Sequence, residues 1–177
     1  MGRKLLNIIL FQVAWFTAVL GAARGNEWYG PLAVALVLSV HFALTDDRRG
    51  ELTLMLVAGT LGFCFDTALS AAGIVTPRGH IFPYPLSQPW MVSLWLNFAA
   101  TLNVSLAWLK GRYLLAAIFG AVGGAGSYFG GARLGATLAL PDVNGILLLA
   151  VGWGIMTPFL VWLAKRFHRN GAAVIAP

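Results

Sequence analysis

The stretch PWMVSLWLNFAATLNVSLAWL at residues 89–109 decides how this chain is built. It is apolar enough to lie in lipid, yet Ser93, Asn97, Thr101 and Ser105 recur in it at four-residue spacing. On a helix of ~3.6 residues per turn, that spacing draws one slowly drifting polar stripe along most of the stretch. Inside a bilayer no hydrophobic force pulls helices together, so small residues and side-chain hydrogen bonds supply the contacts. The stripe therefore reads as the seam against which the other helices assemble.

The rest of the chain agrees with a lipid setting. Of its 177 residues, 59% are hydrophobic and only 10% charged, with a mean hydropathy of +0.78. A soluble domain carries roughly 25% charged residues, so a soluble fold would lack polar surface. Six apolar runs, at 5–23, 31–44, 52–74, 90–109, 113–131 and 146–164, approach the ~20 residues that a ~30 Å hydrocarbon core requires. The expectation is an all-α, polytopic membrane helix bundle, one transmembrane domain over 1–177 with six spans. The first run follows Arg3 and Lys4 and ends in small residues, as a signal peptide does. Its length and its Gln12 and Trp15 favour a retained helix.

Threading follows from the basic residues. Arg3, Lys4, Arg48, Arg49, Lys110, Arg112, Lys165, Arg166 and Arg169 fall on one side of this arrangement, and Arg24, Arg78 and Arg133 on the other. An excess of Lys and Arg marks the cytoplasmic side, so both termini are expected there. The same clustering accounts for the net charge of +6 without a nucleic-acid partner, and the tail bases favour anionic membrane lipids. The longest loop, VTPRGHIFPYPLSQP at 75–89, contains four prolines, which block regular pairing; it reads either as an ordered outer cap or as a plain connector. Asn144 is a candidate N-cap for the last helix.

Asp66 is the residue on which chemistry would turn, the one carboxylate deep inside an expected span. An Asp at mid-membrane costs roughly 2.5–3.5 kcal/mol on insertion scales, so it should face protein or water. Asn97 is expected at nearly the same depth, where the two would meet. Two readings stand: a functional acid, or a polar clasp in which Asp66 bonds Asn97 or Thr101. Arg133, at the outer end of helix five, is the expected cationic partner through its long stem, with Arg78 second. Gln12 and Trp15 share a face of helix one, where a buried amide needs a partner such as the stripe.

Helix five carries the pairs Gly120 and Gly124, Gly126 and Gly130, and Gly131 and Gly135, each at four-residue spacing. This small-residue face suits close packing, either within the chain, in a homo-oligomer, or against a partner enzyme. Cys64 stands alone, the three histidines are dispersed, and Asp46 and Asp47 neighbour Arg48 and Arg49. No metal site, cofactor or catalytic motif is legible, and enzymatic activity is left unassigned.

The chain also resembles a family of small bacterial inner-membrane proteins catalogued as a domain of unknown function. The resemblance rests on Phe11, Gln12, Trp15 and Phe16, on Asp66, and on Pro89-Trp90 continuing through Leu94-Trp95, Phe98-Ala99, Thr101-Leu102 and Ser105 to Trp108-Leu109. It implies about six helices, a bacterial cytoplasmic membrane, and genes often beside cyclopropane-fatty-acid-synthase-like methyltransferases. Three functions are therefore expected in order: an accessory protein for membrane-lipid or lipophilic-metabolite handling, a small proton-coupled transporter using Asp66, and a non-catalytic scaffold for membrane enzymes. The candidate binding residues are Gln12, Trp15, Asp66, Trp90, Asn97, Thr101 and Arg133.

Overall fold

A computed structural model describes residues 2–168; Arg169 of the basic tail lies outside the described residues. Six α-helices follow one another: α1 Gly2–Ala23, α2 Tyr29–Leu44, α3 Arg48–Ala71, α4 Pro89–Leu102, α5 Tyr113–Arg133 and α6 Val143–Phe167. A 3-10 turn at Ala107–Leu109 precedes α5, and no strand forms among the described residues. Helices α1, α3, α5 and α6 are long and apolar enough to cross a membrane, while α2 is a shorter apolar helix of 16 residues. Many large hydrophobic side chains face outward, including Leu36, Leu114, Val122 and Ile155, which suits a lipid surface.

Helix α4 is the hub. It packs against α1, α2, α3 and α6, and none of its residues is exposed. It is also shorter than the expected 90–109 run, ending at Leu102. Beyond that point the Thr101 carbonyl accepts from the Val104 amide (3.1 Å) and from the Leu106 amide (2.9 Å). The Asn103 side chain meanwhile donates to Glu51 Oε1 at 2.9 Å. An apolar residue count is blind to such a contact between residues distant in sequence.

The polar stripe is a seam, and its partner is α1. Asn97 Nδ2 donates to the Phe11 carbonyl (3.1 Å), and Ser105 Oγ donates to Asn7 Oδ1 (2.6 Å). Asn7 Nδ2 returns a bond to the Ala100 carbonyl (3.2 Å). Ser93 and Thr101 instead bond their own helix, at the Trp90 and Phe98 carbonyls. The amide that answers the stripe is thus Asn7, which is buried, and Gln12 is exposed. The start of α6 is also corrected: Asp142, and not Asn144, is the N-cap, accepting from the Gly145 amide at 2.7 Å as an N-cap carboxylate does.

Loop 72–88 is ordered by its own polar groups. Gln88 Nε2 donates to the Phe82 carbonyl (2.9 Å), and its Oε1 accepts from the Phe82 amide (3.2 Å). Buried Glu27 accepts from the His80 amide (2.9 Å); beside it Gly79 has φ +134°, and a Cβ there would run into the Glu27 carboxylate. Trp90 Nε1 donates to the Arg78 carbonyl (2.9 Å). A short pairing between Pro77 and Thr137 joins this loop to the one before α6. The loop is thus an ordered cap over one end of the bundle.

Candidate functional site

Asp66 lies on the face of α3 that Gly59 and Gly62 flatten. A Cβ on Gly62 would fall into the Trp95 ring, so the glycine is what admits Trp95 against α3. The indole Nε1 of Trp95 then donates to Asp66 Oδ2 at 2.9 Å. Tyr128, from α5, donates its hydroxyl to Asp66 Oδ1. Ser87, in the cap, reaches Oδ2 at 3.5 Å, and the neighbouring Thr67 hydroxyl accepts the Ser87 amide at 3.0 Å. Asp66, only 2% exposed, thereby ties α3, α4, α5 and the cap to one point.

The aromatic groups continue from there. Trp95 stacks on Trp153 of α6 with ring centroids 4.4 Å apart and planes at 10°, and Phe98 meets the edge of Trp153 at 5.4 Å. Trp153 in turn occupies the space that Gly124 leaves, because a Cβ there would overlap the indole. The order across the bundle is Gly62, Trp95, Trp153, Gly124. Small residues on two outer helices let two indoles stack at the centre.

Beside this stack is a cavity of about 350 Å³, within the usual range for ligand sites. Asp66, Tyr128, Trp95 and Trp153 lie on one side of it, with Trp15, Trp90 and Thr157 also on its wall. Val75, Ala136 and Thr137, from the two loops that pair at Pro77, line one end of it. The exposed lining residues are Gln12 on α1 and Phe119 and Gly123 on α5. They stand near the middle of those two helices and mark the mouth. One buried hydroxyl at the wall, Thr157 Oγ1, has no hydrogen-bond partner among the described residues.

Of the residues expected at a site, Gln12, Trp15, Asp66 and Trp90 line this cavity. Asn97 and Thr101 do not, and the expected meeting of Asn97 with Asp66 does not occur. Trp95 takes that place: two residues at ~100° each put it on nearly the opposite side of α4 from Asn97. Arg133 is not the counter-charge, since it is exposed and its guanidinium sits over the Phe129 ring at 5.2 Å; Arg78 is exposed as well. The glycine face of α5 divides: Gly120 and Gly124 are taken up by Trp153 and Thr157 within the chain, and Gly123 and Gly126 face open space.

Sequence reading missed the donors to Asp66. Trp95 and Tyr128 sit in apolar runs where an aromatic looks like core, and Ser87 precedes the expected span. It also missed buried Glu51, whose Oε2 lies 3.1 Å from His41 Nε2, because Glu51 stands at the edge of a run. Nearby, partial burial pushes the Lys110 ammonium below its usual pKa, and Glu51 pulls it the other way.

A family described as a protein of unknown function, DUF2878, matches residues 4–159. The chain belongs to that family. The match takes in all the cavity-lining residues named above. No curated protein and no solved structure matches the chain.

The stacked indoles generate a contrast between neighbouring glycines. Gly124→Ala should lower the stability of the detergent-solubilised protein by roughly 1–3 kcal/mol, as overpacking does, with a clear drop in melting temperature. Gly123→Ala, with open space at its Cβ, should leave melting unchanged or slightly raised, since Ala favours the helix. Equal effects at both positions would contradict the stacking arrangement.

Proposed function

We propose that this protein binds a membrane lipid or a lipid-soluble metabolite within the bilayer, as an accessory to the handling or modification of such molecules. The observation that carries this reading is the mouth of the cavity. Gln12, Phe119 and Gly123 are exposed near the midpoints of α1 and α5, two helices long and apolar enough to cross a membrane. A mouth at that level opens onto acyl chains, so its ligand would arrive from lipid. Walls of indole and phenyl rings would bury the apolar body, and Asp66 with Tyr128 would hold the polar end. This division into apolar lining and a few placed polar groups is what small-molecule sites use.

The threading that goes with this reading is six crossings of a bacterial cytoplasmic membrane with both termini inside. Nine Lys and Arg on one side against three on the other support it, as does the gathering of helix ends. Asn7 bonds Ser105 and Glu51 bonds Asn103 towards one end of the bundle, and Glu27 bonds His80 and Trp90 bonds Arg78 towards the other. A reporter joined after Phe167 should be active only in the cytoplasm. Activity on the outer side would overturn the threading.

Native mass spectrometry of gently extracted protein tests the binding reading. Wild type should retain a lipid or metabolite adduct, and Gly123→Trp, which fills the mouth, should lose it while keeping its melting temperature. Retention of the same adduct by a folded Gly123→Trp protein, or a bare wild type, would count against a site in this cavity.

A further inference from the structure

The groups around Asp66 carry information about the charge of the ligand. Trp95, Tyr128 and Ser87 are all donors to it, the set that suits an acceptor carboxylate. None of the ion pairs among the described residues includes Asp66: they join His41 to Glu51, His80 to Glu27 and His168 to Asp47. The nearest candidates by sequence, Arg78 and Arg133, are exposed, and Arg133 is engaged with Phe129. An acid buried among helices normally has its charge matched by a partner. Here the protein supplies three hydrogen-bond dipoles and, among the described residues, no paired base.

The walls have the matching chemistry. Trp15, Trp90, Trp95, Trp153 and Tyr128 all line the cavity that Asp66 faces. Indole and phenol faces attract cations, most strongly where water is excluded. A carboxylate offers about four acceptor positions, of which three are used, so one remains for a ligand. Thr157, fully buried at the wall, has a hydroxyl with no hydrogen-bond partner among the described residues.

We infer that the cavity takes a lipophilic cation, an amine or quaternary ammonium amphiphile, with Asp66 as its counter-charge and the tryptophans as its cage. The inference rests on the reading of the cavity as a lipophile site and adds the sign of the ligand's charge. Gly62 and Gly124 then have a second consequence beyond packing. By admitting Trp95 and Trp153 to the centre, they place the cage beside the acid.

The test uses the full chain in lipid nanodiscs and three probes of equal chain length: octyltrimethylammonium, 1-octanol and octanoate. Binding is read by titration calorimetry, with partition into empty nanodiscs subtracted. Wild type should bind the cation about tenfold more tightly than octanol and octanoate no better than octanol. Asp66→Asn should bring the cation to within about twofold of octanol and leave octanol unchanged. Should octanol match the cation in wild type, the charge inference is overturned while the lipophile reading stands. Absence of saturable binding by all three probes would overturn both. The wild-type comparison decides the point even where Asp66→Asn fails to fold.

Discussion

A carboxylate buried in a helix bundle with donors around it and no base paired with it among the described residues is the constraint on which this molecule turns. Asp66 is too costly to leave facing acyl chains, so the chain must bring polar hydrogens to it. It does so from three directions: Trp95 on α4, Tyr128 on α5 and Ser87 in the cap. Helix α5 otherwise packs chiefly on α6, so the Tyr128 hydroxyl ties that pair to the centre. Meeting the need of one acid therefore positions an aromatic wall, a helix pair and the loop above them.

The same arrangement explains why there is a cavity. Helix α4 is short and wholly inside the bundle, bonded to α1 through Asn97 and the Ala100 carbonyl and to α3 through the Trp95 contact with Gly62 and Asp66. With α1 and α3 on different sides of α4, and α5 held by α6 and Tyr128, the space between α1 and α5 is not filled by α4. The paired loops around Pro77 and Thr137 close one end of it, and its mouth is left at the level of Gln12 and Gly123. Packing α4 from all sides and leaving one gap are two results of a single geometry.

Much of this was legible in the residues, and what was not has physical reasons. The four-residue recurrence from Ser93 to Ser105 marks a seam because helix periodicity is a property of sequence. The identity of its partner is a property of how helices rotate, and so Asn7 rather than Gln12 answered it. Asp66 stands out because an acid in an apolar run is expensive whatever surrounds it. Its donors do not stand out, since Trp95 and Tyr128 are amphipathic and hide their one polar atom in an apolar pattern. Just past the end of α4 at Leu102, Asn103 meets Glu51, a contact 52 residues distant in sequence that no local pattern displays. Four of the six helices are long and apolar enough to cross a membrane by themselves.

The central claim is that Asp66 faces a site with an occupant, and not a dry clasp. An experimental density map of the full chain in lipid nanodiscs addresses that most directly. The account predicts non-protein density between Asp66, Trp153 and Thr157, continuing past Gly123 toward the bilayer. A collapsed cavity would contradict it, with the indoles of Trp15 and Trp90 filling the space and Thr157 bonded within its own helix.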